Sequence, residues 1–472
     1  MISPASPEAY DLLHQGSIAL AQVEAAGMRI DTDYLDRTVK ETNTEIKETE
    51  KKLMAGRVWR EWRKRFGSKA EFDSDYQLGI ILYDVLGTPN PVHAPSSTKE
   101  RPRYSTDEAV LEKIDQKFVK EYLKLKKLKK VVNTYLNGLI KHVEGGYIHG
   151  SFNLNRVVTY RSSMSDPNLQ NVPIRDPIQG KIIRQAYIPR DDHQLVEIDI
   201  GGAEVRVAAC YHKDPTMLRY IRDGYDLHKD MAIECYRLPK MKDYGEGTKH
   251  LKAARQQAKA LFVFAEFYGD YWRGVAPSMW DAIGRYHLKA PDGSGIYDWL
   301  ATQGITRLGN LNPKEKPESD SFAKHIKDVE ENFWGKRFPV YAKWKEDWLA
   351  QYKRRGWIKM HTGFVVQGVY KKNEIINSPI QGSSFHWLLW SVIQMVRELR
   401  KRKMRSRVVC QIHDSMVADV HKDELDDYLA LAKDIMTVRA PVAWPWLVTE
   451  LEVEAKISEL GGNWHKLTER KL

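Results

Sequence analysis

The chain has 472 residues, 42% of them hydrophobic, enough for one large enzyme or two to three smaller domains. Its 74 Lys+Arg against 63 Asp+Glu give a formal charge of +11, which favours a polyanionic partner, nucleic acid ahead of an anionic membrane. Three scattered cysteines, Cys210, Cys235 and Cys410, exclude a disulfide framework and a zinc spacing, and the longest apolar run, WLLWSVIQMV, is too short to cross a bilayer.

The opening MISPASPEAYDLLHQG carries acidic residues and lacks the basic-then-apolar order of a signal peptide. With the cysteine usage, this gives the expectation of a soluble, cytoplasmic chain. Residues 17–55 read as two helices around GMRIDTDYLD, and FDSDYQLGIILYDVLG as another, opened by a Ser/Asp cap. Residues 88–105, rich in Pro, Ser and charge, form the clearest loop. From 121 to 143, Leu125, Leu128, Val132, Tyr135, Leu139 and Val143 fall on one helical stripe. Lys124, Lys126, Lys127, Lys129 and Lys130 occupy the other faces, as a solvated surface or a ridge for phosphates.

After a polar stretch, QLVEIDI reads as a strand. Helical patterns dominate 204–265 and 320–400, while 291–320 is loop-rich and looks like an insertion. Two further strands follow, one ending at Ile412 and one in which Met416, Ala418 and Val420 alternate with their neighbours. β-elements on either side of a long helical block suggest one sheet interrupted by a helical subdomain.

His413 and Asp414 lie at the bend between those last strands, and Asp199 ends the earlier one, where Gly201 and Gly202 release the chain. A carboxylate in such a place must be paired, metal-bound or solvent-facing. Two carboxylates from separate strands suit Mg²⁺, which takes hard oxygen ligands and leaves room for phosphates. Arg255 and Lys259 stand at i and i+4, on one helical face, where two cations can clamp a triphosphate.

The stretches YRSSMSDPNLQNVPIR (160–175), VEIDIGGAEVRVA (196–208), RQQAKALFVFAEFYG (255–269), NSPIQGSS (377–384) and QIHDS (411–415) occur in that order. Together they resemble the successive motifs of family A DNA polymerases, the DNA polymerase I-like group of bacterial and phage enzymes. The resemblance runs from about residue 17 to the C-terminus. It implies a right-hand α/β (α+β) fold with a palm sheet, helical fingers and a helical thumb. On that scheme 1–150 is an N-terminal helical segment and thumb, 151–215 and 385–472 are palm, and 216–384 is fingers. It also implies a template-directed DNA polymerase with two Mg²⁺ ions, primer–template DNA and dNTPs as partners, acting as a monomer in the cytoplasm of a bacterium or phage host. Because the chain starts where the polymerase module starts, no proofreading exonuclease is expected.

Residue by residue, Asp199 and Asp414 resemble the catalytic metal ligands, joined by the Ile200 carbonyl. Glu204 matches the glutamate that blocks a ribose 2′-hydroxyl. Arg255 and Lys259 match the cations on the triphosphate, Lys259 also being a candidate proton donor to pyrophosphate. His228 and Arg175 resemble residues near the nucleotide phosphates. Arg161, Asn377 and Gln381 resemble minor-groove contacts to the terminal pair and template, and His413 the histidine beside the primer end. Lys127 and Lys130 remain candidates for the DNA backbone.

Three departures carry consequences. Ser415 stands where the family usually has a glutamate after Asp414. DIGGAE replaces the commoner DYSQIE, keeping only the Asp–Glu spacing. The stretch after Lys259 is one residue longer than usual, so the stacking aromatic falls on Val263 in a regular helix or on Phe264 if one residue bulges; a bulge is expected, because the site needs an aromatic platform. That makes Tyr268 the aromatic near the template base, ahead of Phe267. Two other readings compete: a polymerase working on RNA or with ribonucleotides, and a catalytically impaired relative that only binds primer–template.

Overall fold

The structure, a computed structural model, describes residues 2–89, 104–174, 176–241 and 244–472. Most of the expected 88–105 loop, and Arg175, lie outside the described residues. At the centre is a five-stranded antiparallel sheet in the order Arg407–Ile412, Ser415–His421, His193–Ile200, Val453–Ser458, Leu467–Lys471. Alternation gives the sheet two apolar faces. Val196, Ile198, Met416, Ala418 and Ala455 join a large core with the helical block, whereas Leu195, Val409, Cys410, Ile412 and Val417 join a second core with residues 28–187. The sheet interrupted by a helical subdomain is therefore present.

The helical block that follows His193–Ile200 includes Ala203–His212, Leu227–Cys235, Thr248–Ala258, Trp272–Arg285, Phe322–Asn332 and Pro339–Arg355. It ends in the 30-residue helix Lys372–Lys401, buried along most of its length. Between 291 and 320 the chain is mostly irregular apart from the short helix Ile296–Thr302. Two strands inside the stretch that reads as helical, Trp357–Lys359 and Phe364–Gln367, pair with each other, and the second pairs also with the N-terminal strand Ile2–Pro4. Gly356 (φ +74°) stops the preceding helix and Gly363 (φ +85°) turns the hairpin, positions that favour glycine.

On the N-terminal side, Asp31 caps Thr32–Met54 by accepting from the Tyr34 amide, and Ser74 caps Asp75–Ile80. The helix Pro7–Ala26 belongs instead with the sheet's larger core. Its Gly16 lies so close to Lys372–Lys401 that an added Cβ would stand 2.8 Å from Leu389 Cδ2. The helix from Lys117 widens by one residue per turn over Val131–Leu136. Within it the buried position moves from the expected Tyr135 to Leu136, while Leu139 beyond it is buried as expected. Two ion pairs join this N-terminal unit to the helical block, Lys113 to Asp281 at 2.6 Å and Arg285 to Glu112 at 3.3 Å. No helix among the described residues is long and apolar enough to cross a membrane.

Candidate active site

Sheet register brings the two candidate carboxylates together. Asp199 pairs with Ser415 across neighbouring strands, and the Ile200 amide donates to the Asp414 carbonyl at 3.3 Å. The tight bend holds His413 at φ +51° with its side chain exposed. Burial first, and the neighbouring Asp414 charge second, push the Asp199 carboxyl up to about 6. No hydrogen-bond donor among the described residues reaches Asp199. Two crowded carboxylates with unused oxygens suit a divalent cation, whose charge would relieve their repulsion. Ser415 brings no third carboxylate, and its hydroxyl donates to the Ile412 carbonyl at 3.0 Å. No group of three or more His, Cys, Asp or Glu able to hold a metal occurs among the described residues.

Arg161 links this pair to the next element. One of its terminal nitrogens lies 3.1 Å from Asp414 Oδ1 and 3.1 Å from Glu204 Oε1. Glu204 stands in the first turn of Ala203–His212, which starts after Gly202 in the left-handed conformation (φ +62°). Its second oxygen accepts from the Tyr268 hydroxyl. Burial raises the Glu204 carboxyl above its ordinary range.

The extra residue after Lys259 is absorbed as a wide turn, with the Phe264 amide donating to the Lys259 carbonyl. This turns Val263 into the core and leaves Phe264 half-buried, its ring parallel to Tyr268 (5.8 Å between centres, 11°) and edge-on to His228 (5.7 Å). The Lys259 ammonium lies 5.5 Å from the centre of the Phe264 ring. Phe267, by contrast, is buried against Phe333, Trp334 and Tyr341.

Asp226 was not among the residues expected here, although it lies two residues before His228. One of its oxygens caps Leu227–Cys235 by accepting from the Lys229 amide at 3.0 Å, and the other accepts from Arg255 Nε at 2.6 Å. It thereby fixes the helix that carries His228 against the helix that carries Arg255. Burial and the charges of Lys259 and Arg255 bring the His228 imidazole down to about 4, so it is neutral near pH 7.

From Lys372–Lys401, Gln381 comes within hydrogen-bond reach of Tyr268, and Asn377 keeps a buried Oδ1 without a partner. Gly382 is small for a reason: an added Cβ would lie 2.5 Å from Met360 Cε and 2.9 Å from the Thr159 carbonyl. A further network was missed. Gln170 Nε2 donates to Ser162 Oγ (2.9 Å) and Gln411 Oε1 (3.1 Å), and Gln411 Nε2 donates to the His413 carbonyl (2.7 Å), bracing the bend. Gln170 and Gln411 lie in the quoted motifs, which were the available signal.

The lysine ridge is largely neutralised. Lys124 pairs with Glu45, Lys126 with Asp75, and Lys129 with Glu50 and Asp73. Lys127 pairs with Glu108 (2.8 Å) and Asp176 (3.0 Å) and lies 3.8 Å from Glu112. Lys130 is exposed and makes no ion pair among the described residues.

The family model described as DNA polymerase family A matches residues 32–280 and 336–466, leaving out a segment that contains the 291–320 insertion. DNA polymerase I, thermostable, of Thermus thermophilus is 27% identical over 458 residues, covering 94% of this chain and 47% of that protein. DNA polymerase I of Bacillus subtilis is 27% identical over 436 residues, covering 89% and 42% respectively. The chain thus spans about half the length of the curated relatives it matches. Among solved structures, the POL domain of Pol1 from M. smegmatis in complex with DNA primer-template and dNTP superposes with a TM-score of 0.70. It is 22% identical, covers 96% of this chain and 70% of that one, and shows the shared fold. With the family model spanning most of its length, the chain belongs to DNA polymerase family A.

Proposed function

We propose that the chain is a template-directed DNA polymerase that joins dNTPs to a primer 3′-hydroxyl and releases pyrophosphate. The observation that carries this is a contiguous string of side chains from the Asp199–Asp414 pair through Arg161, Glu204, Tyr268 and Phe264 to Lys259 and His228. Carboxylates stand at one end and cations at the other, across an aromatic platform, an arrangement that suits a nucleotide with its phosphates between the two. Phosphoryl transfer asks the protein mainly for positioning and charge neutralisation.

Asp199, Asp414 and the Ile200 carbonyl would hold two Mg²⁺ ions, which when bound would make the primer hydroxyl more acidic and neutralise charge gathering on the phosphates. Arg255 and Lys259 take the triphosphate, with Lys259 placed to pass a proton to the leaving pyrophosphate. Neutral His228 donates a hydrogen bond there without a third charge. Phe264 stacks on the incoming base, and Glu204 fills the space of a 2′-hydroxyl. Arg161, Asn377, Gln381, Tyr268 and His413 face the primer–template end. On this reading 151–215 and 385–472 are palm, 216–384 fingers, and the unit before residue 150 the thumb, except that the helix Pro7–Ala26 packs with the palm.

Primer extension with Mg²⁺, offering dNTPs or NTPs on DNA and on RNA templates, tests the reading. Extension with dNTPs on DNA is expected. Preference for NTPs or for an RNA template would move the chain to a different polymerase activity, and binding without extension would make it an impaired relative.

A further inference from the structure

Around the turn Phe264–Phe267, Phe264 and Tyr268 stand four residues apart and share the face that meets the site, so Glu266 between them points the other way. Its carboxyl is wholly buried, at a cost that an apolar side chain would avoid. One oxygen, Oε2, accepts from the Trp334 indole at 2.8 Å, and Oε1 is buried with no partner among the described residues. The Glu266 carbonyl is tied as well, accepting from the Lys345 ammonium at 3.4 Å. That ammonium lies 3.1 Å from the centre of the Trp334 ring, so the two donors brace each other. They come from different elements, Trp334 from Phe333–Arg337 and Lys345 from Pro339–Arg355.

The groups that face Glu266 are mostly acidic. Glu330 comes from Phe322–Asn332 and Asp270 from just past the turn, and Cys235, at the end of Leu227–Cys235, adds a buried thiol. Glu330 is itself engaged, accepting from the Trp272 amide at 2.7 Å. Lys345 is the cation set against them, and Lys372 faces Lys345 in turn. Burial first and the Glu330 charge second push the Glu266 carboxyl up to about 8, against the pull of Trp334 and Lys345. Burial, helped by Lys372 and opposed by Glu266, brings the Lys345 ammonium down to about 7. Near neutral pH Glu266 therefore keeps its proton, and by the pH at which it ionises Lys345 has largely lost its charge.

We propose that Glu266 is a positioning residue for the incoming nucleotide: gripped by Trp334, it sets the angle at which Phe264 and Tyr268 meet the base, an inference that rests on the polymerase reading above. It touches no substrate. A rotation of Glu266 about the helix axis turns both rings with it, because the three belong to one short stretch of backbone. Val263 and Phe267 hold that stretch by bulk, which tolerates small rotations; a 2.8 Å hydrogen bond to one indole does not. The uncharged acid suits this task, since Trp334 supplies one donor and none reaches Oε1. Once ionised, the carboxylate meets Glu330 and Asp270 as like charges in a site closed to water, and the turn that carries it shifts to relieve them.

The test reads dNTP affinity on a primer–template complex whose primer ends in a dideoxynucleotide. Extension of an ordinary primer and melting temperature are followed beside it, from about pH 6 to about pH 9.5. In the native chain dNTP affinity should weaken above about pH 8. Glu266→Gln keeps an acceptor for Trp334 and cannot ionise, so it should match the native chain at neutral pH and lose the alkaline weakening. Glu266→Leu should weaken dNTP affinity about two- to tenfold at neutral pH, the range of one lost hydrogen bond. Its melting temperature should equal or exceed the native value, since a buried acid is gone. A purely structural role would do the reverse, lowering melting and sparing affinity. Trp334→Phe should match Glu266→Leu in affinity, and the combined variant should lose no more than either, the mark of one shared interaction. An alkaline decline as steep in Glu266→Gln as in the native chain would overturn the proposal, as would native affinity in both Glu266→Leu and Trp334→Phe. If Glu266→Leu does not fold, Glu266→Gln and Trp334→Phe still decide. A native chain that binds dNTP without extending any primer would sink the polymerase reading and leave this comparison standing.

Discussion

The Phe264 amide donates to the carbonyl of Lys259, five residues back rather than four. One extra residue per turn rotates everything beyond it by about 100°, which buries Val263 and brings Phe264 beside Tyr268 and His228. Phe264→Ala should therefore lower the efficiency of dNTP incorporation about five- to a hundredfold, as expected for ~1–3 kcal/mol of lost base stacking. Val263→Ala should lower the melting temperature instead, with dNTP use close to native. Steady-state kinetics paired with thermal melts distinguish the two, and the opposite pattern would place the stacking role at 263.

Asp199→Ala and Asp414→Ala should each leave no more than a few per cent of the incorporation rate, with primer–template affinity retained, because affinity comes mainly from phosphate contacts. Their pH behaviour is more discriminating. The Asp199 carboxyl lies near 6 in the folded chain against 3.8 in its ordinary state. Between those values the folded chain holds a proton that the unfolded chain has released, so stability falls as pH rises through the window. Asp199→Asn should raise the metal-free melting temperature at neutral pH, and the gain should vanish below about pH 4, where both states are protonated. Added Mg²⁺ should stabilise the native chain more than the variant, and its absence of effect on both would remove the metal from this site.

Glu204 is held from two sides, by Arg161 and by Tyr268. Glu204→Ala opens the space a 2′-hydroxyl would enter, so discrimination against ribonucleotides should fall at least about tenfold, equivalent to ~1.4 kcal/mol. Competition between a dNTP and the matching NTP measures this directly. Unchanged selectivity would take Glu204 out of sugar selection.

The neighbouring lysines Lys127 and Lys130 should behave differently. Lys127 is mostly covered and satisfies Glu108 and Asp176, so Lys127→Ala should lower the melting temperature more than it lowers DNA affinity. Exposed Lys130, if it meets a phosphate, should do the reverse on substitution by Ala, reducing the salt slope of duplex binding by about 0.9. Parallel salt titrations and melts of both variants would settle the contrast.

The β-branched and small residues before His413 and the alternation after Asp414 were enough to read the two strands and the bend. The wide turn after Lys259 was legible as a surplus residue between a cation and an aromatic. The state of the lysine ridge was not legible, since Lys127 finds its carboxylates on Glu108 and Asp176, in other elements of the chain. The same holds for Asp226, whose partner Arg255 lies on the next helix but one motif away, and for Ile2–Pro4, which pairs with Phe364–Gln367 across most of the sequence. Local pattern states what an element is; it does not name the partner that tertiary folding delivers.

The two cores, already joined through the sheet, meet again at Lys113–Asp281 and Glu112–Arg285. Ion pairs this exposed contribute at most about 1 kcal/mol each, so parting both costs no more than ~2 kcal/mol. Were those pairs all that closed the junction, a cost of ~2 kcal/mol would leave it open about 3% of the time, by the factor of ten per 1.4 kcal/mol. Salt screens such charges over about 10 Å at 0.1 M and raises that fraction further. The second junction is thus a latch rather than a weld, its hold set by the ionic strength around it.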